Sequence, residues 1–403
     1  MISSHRPVFR LGIFTDTFDE INGVTTIYRK FVEAAEAHPE LGVQLAVFCL
    51  AEETRIDLGV RTAVLRYRPQ PNVPLPRYPE LKTGFAPVWS IRPDFKRLQD
   101  RWGAFDALSV ATPGPFGFTG QALAKRYKLP LIGFYHTRFP AYLAVYGGNL
   151  LRTPWAAEWL ERVGYVWMRQ LYDTCGLVIC QSEAIADEVR RVSRGRIAVW
   201  DTGVDLTAYK PAAAPDFRAR YGIPADAVVV AYVGRLAAEK NLDELAALSQ
   251  RLAGLHFLVV GDGPYAAELH EGARATFTGV LHGADLAAAY RAADIFFFPS
   301  TTDTFGNVLL EAMATGLPLV VTDHGPGANL VAATGAGLTY RAGDLDGAAS
   351  VLAALAGDPA LRADMARRGL DHVAGRDWPF ALARFVALCR QVPRPVAGEL
   401  VRV

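Results

Sequence analysis

Short runs of β-branched and aromatic residues alternate with longer stretches of helical period along the chain, the pattern of parallel strands joined by crossover helices. In the first half the runs predict strands at Phe9–Thr15, Val43–Phe48, Ala107–Val110, Leu131–Tyr135, Leu177–Cys180 and Ile197–Trp200. In the second half they predict strands at Val228–Val233, Phe257–Val260, Thr276–Thr278, Ile295–Phe298, Leu319–Val321 and Gly337–Tyr340. Two doubly wound α/β domains follow, and 403 residues is long enough for two cores. KPAAAPDF, Lys210–Phe217, has two prolines and small residues that suit neither a helix nor a packed strand, which makes it the expected linker. The predicted domains are 1–205 and 206–377, with a last helix within about 378–403 crossing back onto the first. Trp378, Phe380, Ala381, Leu382, Phe385, Val386 and Leu388 lie near one stripe of that helix.

Open α/β sheets bind ligands outside the carboxyl ends of their strands, so the loops after predicted strands carry the candidate chemistry. TTDTFGNVLLEAMATGLP, Thr301–Pro318, follows the apolar strand ending at Phe298. Its Phe305-Gly306-Asn307 turn leads into a helix over Asn307–Thr315 that Gly316 closes. The amides of Gly306, Asn307 and Val308 at that start suit an anion such as a phosphate. Glu311 has two readings: acceptor for the vicinal hydroxyls of a ribose, or a helix-start acid complementing the dipole. Asp303, in the loop, can accept from sugar hydroxyls.

YVGRLAAEKN, Tyr232–Asn241, places Arg235 and Lys240 five apart after another strand, either as a cationic pair for a diphosphate or as surface ion-pair partners of residues such as Glu239. GDGP makes a tight turn at Gly261. In the first half, TDTFDEINGVTT enters a helix near Thr25, with Gly23 permitting close backbone approach, and YHTRFP puts His136 at the end of its strand. A lone glycine turn and a lone histidine are also ordinary structural features.

Charge changes the picture little: 42 Lys and Arg against 41 Asp and Glu give no reason to expect a nucleic-acid partner. Between Arg55 and Arg101, however, ten basic residues face four acidic ones, interleaved with Tyr67, Tyr78, Phe85, Trp89 and Phe95. This stretch reads as a solvated basic region or as an acceptor or membrane-surface site. Trp155, Trp159 and Trp167 recur at helical spacing and read first as helix packing, second as a membrane-proximal face. Cys49, Cys175, Cys180 and Cys389 lie in apolar surroundings without metal or redox spacing, as reduced core residues of a cytoplasmic protein. No signal peptide is expected, and no apolar run reaches the roughly 18 residues that would span a bilayer. Any membrane contact is then expected to be peripheral, at the inner face.

Together these segments resemble the retaining glycosyltransferases of the GT-B fold, family 4, in which two Rossmann-like doubly wound domains face an interdomain cleft. The resemblance runs through TDTFDEINGVTT, ATPGPFGFTG, YHTRFPAYL, TGVD, YVGRLAAEKN, GDGPY, FTGVLHGADLAAAYRAADIFFFPS and the acidic segment, in the family's order. The family's E-x7-E pattern falls on Asp303 and Glu311, with the first acid one methylene short, and GPGAN has Ala328 where relatives often carry glutamate. The resemblance implies that Arg235 and Lys240 hold the donor diphosphate, Glu311 the ribose, and His136 with the Gly23 loop the transferred sugar. It implies transfer of a glucose- or mannose-type hexose from a UDP or GDP sugar to a lipid or glycan acceptor. The nucleotide sugar is a substrate, and no cofactor or metal is expected because no DxD-like motif interrupts the donor segments. A nucleotide-sugar epimerase on the same fold and a noncatalytic sugar-binding protein are the alternatives. The sequence leaves the oligomeric state open.

Overall fold

The computed structural model describes residues 7–20, 23–69, 74–75, 78–82, 86–136, 139–140, 154–301, 303 and 306–395. The chain forms two compact units, Met1–Thr202 with Trp378–Val403, and Gly203–Asp377.

The first unit is built on an eight-stranded sheet: β1 (Phe9–Thr15), β2 (Val43–Leu50), β3 (Arg55–Leu58), β4 (Thr62–Tyr67), β7 (Ala107–Val110), β8 (Leu131–Phe134), β9 (Leu177–Cys180) and β10 (Arg196–Val199). A separate hairpin pairs β5 (Pro74–Leu75) with β6 (Tyr78–Lys82). The spatial order is β10-β9-β8-β7-β1-β2-β4-β3, parallel except for β3, which runs antiparallel on β4. The pleat sends alternate residues to opposite faces. Leu11 and Ile13 of β1 join one core and Phe14 the other, so the sheet is covered on both sides. The four cysteines are free and buried.

The helix Trp378–Cys389 belongs to this first unit although 176 positions separate it from Thr202. The indole of Trp200 donates to the carbonyl of Ala381 at 2.8 Å. Phe385 packs against Phe31, Phe134 and Trp200 with ring centroids 5.2, 5.4 and 6.0 Å apart. The apolar stripe read from the sequence is the face that makes these contacts, except for Phe380, which is exposed.

The second unit has a wholly parallel sheet of β11 (Val228–Val233), β12 (Leu255–Val260), β13 (Ala275–Phe277), β14 (Ile295–Phe298), β15 (Leu319–Thr322) and β16 (Gly337–Tyr340). Its order, β13-β12-β11-β14-β15-β16, is that of a doubly wound Rossmann sheet, reversing between β11 and β14. Expected strand ends move by one or two residues.

Two corrections concern the connections. Strands β3 to β6 fall where the sequence suggested only a basic aromatic region; β3 is short and exposed, so burial gives it no apolar signature. Lys210–Phe217 is not the link between the units, since the boundaries fall at Thr202/Gly203 and Asp377/Trp378. Its Pro215 opens the helix Pro215–Arg220, a position where a missing N–H is no loss. Arg218 of that helix then binds Asp294 at 2.9 Å and the Ala292 carbonyl at 3.0 Å.

Phe385→Ala should destabilise the first unit by about 3 to 5 kcal/mol, the usual cost of emptying a buried phenylalanine site. Phe380→Ala, at an exposed position of the same helix, should change stability little. Denaturant unfolding read by tryptophan fluorescence distinguishes the two.

Candidate active site

Strands β11 and β14 are neighbours, with Val230 beside Ile295 and Ala231 beside Phe296, and the chain leaves them toward opposite edges of the sheet. The crevice at such a switch point is where doubly wound sheets bind ligands. Arg235 and Lys240 follow β11; Asp303, Gly306, Asn307, Val308 and Glu311 follow β14.

Lys240 ends a 3-10 turn, Ala238–Lys240, and is only 9% exposed. Its ammonium lies 2.6 Å from Oδ1 of Asp303, 63 residues further along. The next residue, Asn241, takes a left-handed backbone (φ 54°), and its side-chain amide donates to the Pro299 carbonyl at 3.0 Å. The two loops are thus tied by a hydrogen bond beside the ion pair. Arg235 pairs with Glu239, so the ion-pair reading holds for that cation, while Lys240 takes a carboxylate from the acidic motif instead. Oδ2 of Asp303 is buried and has no hydrogen-bond partner among the described residues. A carboxylate oxygen in that condition is suited to a donor supplied by a ligand.

Gly261 serves the same crevice from β12. A Cβ there would lie 1.9 Å from the Gly234 carbonyl oxygen, and its φ is +135°, so glycine is what lets the loops after β11 and β12 pack together. Its amide already donates to the Gly279 carbonyl at 2.9 Å, so its part in the site is close approach rather than donation.

The helix Asn307–Ala314 starts from Gly306 in a left-handed conformation (φ 82°), with no side-chain cap. Its first amides, those of Asn307 and Val308, lie at the start of that helix, where they favour an anion. Phe305 lies outside the described residues. Glu311 sits beyond the first turn, where the helix dipole has faded, so the dipole-complement reading explains little of it. Its carboxylate accepts from the Tyr290 hydroxyl at 2.7 Å, with the Tyr209 phenol close by.

In the first unit, His136 follows β8 and is buried, stacked 3.7 Å from Phe134. Its Nε2 lies 2.7 Å from the Tyr28 hydroxyl, and Gln181 bonds the ring as well. Burial pushes its pKa down to about 3, so the imidazole is neutral. Gly23 is the first residue of the helix Gly23–Ala37. Asp16, which sequence reasoning passed over within TDTFDE, lies at the switch point between β1 and β7. It accepts from the Phe116 amide at 3.0 Å and from the Thr112 hydroxyl, and burial pushes its pKa up to about 6.

The aromatic residues of the basic stretch divide. Tyr67 and Phe95 are core, Trp89 is exposed, and the side chains of Tyr78 and Phe85 lie outside the described residues. In the helix Pro154–Tyr172 the packing reading fails: Trp155 and Trp159 are 70% and 55% exposed, and Val163, Val166 and Trp167 extend the exposed face. Trp167 also packs, its indole donating to the Pro113 carbonyl at 2.6 Å. Among the described residues no helix is long and apolar enough to cross a membrane.

Two parallel doubly wound units, the second carrying paired cations and acids at its switch point, define a GT-B glycosyltransferase. The family models agree: Glycosyltransferase Family 4 matches residues 22–208 and Glycosyl transferases group 1 matches 227–358. A GDP-mannose-dependent alpha-mannosyltransferase of Mycolicibacterium smegmatis is 32% identical over 279 residues, covering 68% of this chain and 70% of the relative. An alpha-monoglucosyldiacylglycerol synthase of Streptococcus pneumoniae is 27% identical over 371 residues, covering 87% and 79%. Among solved structures, sucrose-phosphate synthase from Thermosynechococcus elongatus superposes with a TM-score of 0.74 at 21% identity, over 95% of this chain and 98% of that one. The chain belongs to glycosyltransferase family 4, and the protein is a hexosyltransferase. The epimerase alternative draws no support from these relatives.

His136 and Asp16 make opposite contributions to acid stability. The folded His136 pKa lies below its unfolded value near 6.5, so its contribution is lost as pH falls from about 6.5 toward 3. The folded Asp16 pKa lies above its unfolded value, so its contribution is present in acid and lost as pH rises from about 4 to 6. The two offset each other between about pH 4 and 6. Asp16→Asn should therefore make the first unit lose stability more steeply on acidification through that window, as read by thermal melts at closely spaced pH.

Proposed function

We propose that the protein moves a glucose- or mannose-type hexose from a UDP or GDP sugar to a lipid or glycan acceptor, with retention at the anomeric carbon and without a metal ion. The observation that carries this reading is the Lys240–Asp303 pair at the β11/β14 switch point, beside the uncapped helix start at Gly306. As the glycosidic bond breaks, negative charge grows on the diphosphate. Arg235, Lys240 and the amides of Asn307 and Val308 supply fixed positive charge and donors for it, while Asp303 accepts from the sugar and Glu311 from the ribose. The GDP-mannose dependence of one relative and the monoglucosyldiacylglycerol made by another, as their names state, support the donor and acceptor classes.

A lipid acceptor is favoured by the exposed face of Pro154–Tyr172. Trp167 is anchored at Pro113, just past the end of β7, and the helix runs back twelve residues to Trp155, about 18 Å. Tryptophans and valines on one exposed helical face suit a bilayer interface. The protein is then a cytoplasmic enzyme working peripherally at the inner face of the membrane.

The direct test is incubation with UDP-glucose or GDP-mannose and diacylglycerol vesicles in excess EDTA, with products read by mass spectrometry and anomeric configuration by NMR. An α-linked glycolipid from an α-linked donor is expected. An inverted linkage, or transfer that stops on chelation and returns with magnesium, would refute the retaining or the metal-free part respectively. A new sugar epimer formed without acceptor would restore the epimerase alternative.

Lys240→Ala should lower kcat/KM by about 10²-fold, the scale for losing one preorganised charge-stabilising group. Asp303→Ala should weaken binding of the nucleotide sugar more than of the nucleotide alone. Equal losses for both ligands in calorimetry would remove Asp303 from the sugar.

A further inference from the structure

Two buried phenols converge on one carboxylate in the second unit. Tyr290 lies on the helix Gly283–Arg291, fully buried, with its ring 5.7 Å from Phe296 and 5.5 Å from the nearly perpendicular ring of Tyr209. Its hydroxyl donates to Oε2 of Glu311 at 2.7 Å, and Tyr209 lies beside the same side chain. Phenylalanine would fill either position without bringing a polar group that must be satisfied. Burial, with the Glu311 charge adding to it, holds both phenols far above the usual tyrosine range, so both remain donors.

The consequence falls on Glu311. A glutamate with free χ angles loses side-chain entropy whenever it grips a ligand, whereas one already fixed does not. A carboxylate offers about four acceptor directions, so one side chain can accept from phenols and from the hydroxyls of a ligand together. Glu311 is half-buried, its position one turn inside the helix that starts at the uncapped Gly306. We infer that Tyr290 and Tyr209 are positioning residues that aim the Glu311 carboxylate at a vicinal diol and so set a preference for ribonucleotide over 2′-deoxyribonucleotide donors. This rests on the reading of Glu311 as the ribose acceptor. A site built to accept from a particular hydroxyl discriminates strongly against the analogue lacking it, provided the acceptor cannot swing away.

The test uses the whole protein and its Tyr290→Phe, Tyr209→Phe and Glu311→Gln variants. Affinities for UDP, GDP and their 2′-deoxy counterparts are measured by calorimetry, and kcat and KM with the accepted donor. Tyr290→Phe should raise donor KM by about 5- to 10-fold, the effect of one lost hydrogen bond, with kcat nearly unchanged. It should narrow the ribo-to-deoxy affinity ratio toward that of Glu311→Gln. Tyr209→Phe should do the same to a smaller extent and serves as the second variant if Tyr290→Phe does not fold. A tyrosine variant that melts at lower temperature yet keeps the wild-type ratio, while Glu311→Gln loses it, overturns the positioning role alone. A Glu311→Gln variant that keeps the ratio overturns the ribose reading and this inference with it.

Discussion

A parallel sheet covered by apolar packing on both faces has one place left for polar chemistry, the ends of its strands, and this constraint organises both units. In the second unit β11 and β14 are apolar to their last residue, and the first charged side chains that follow them are Arg235 and Asp303. Because the chain diverges after these two neighbours, their loops are free to meet each other without a helix between them. Lys240 reaching Asp303 and Asn241 reaching Pro299 are what that meeting consists of. The first unit repeats the geometry at β1 and β7, where Asp16 after β1 accepts from Thr112 and Phe116 after β7.

Most of this arrangement was legible in the sequence because burial leaves a periodic trace. The twelve strands read from apolar runs all belong to the two sheets, and the stripe from Trp378 to Leu388 marked a helix that packs on a core formed nearly two hundred residues earlier. The buried strand β4 escaped although its run is apolar, and the other omissions have physical reasons. The edge strand β3 is exposed and so carries no burial pattern. The two prolines of Lys210–Phe217 look like breakers until one is seen to sit at a helix start. Trp155 and Trp159 have the spacing of core residues, and spacing alone cannot say whether a face is covered.

Within the site, residue types were legible and partnerships were not. Arg235 and Glu239 are only four residues apart in the loop after β11, and their pairing could be anticipated from that closeness. Lys240 with Asp303, and Tyr290 with Glu311, span 63 and 21 positions and depend on which strands are neighbours. A signal for Tyr290 was nonetheless present: a tyrosine among alanines on a buried helix face must find an acceptor, although Asp285 and Asp294 are nearer in the sequence than the Glu311 that supplies it.

The charges of the crevice carry the argument one step further. Arg235 and Lys240 bring two positive charges, and Glu239, Asp303 and Glu311 bring three negative ones, so the cluster by itself is no anion site of net positive charge. Under the function proposed above, its attraction for a diphosphate sugar comes from exchange of partners. In that reading hydroxyls of the sugar and ribose satisfy Asp303 and Glu311, which lets Lys240 turn its charge from a carboxylate toward phosphate, with helix-start amides adding donors that carry no counter-charge. A nucleotide without its sugar offers nothing to Asp303 and leaves Lys240 divided between two anions. Under the proposed function the ion pair itself favours the intact donor over the bare nucleotide, with the shorter acid at position 303 serving both the sugar and Lys240.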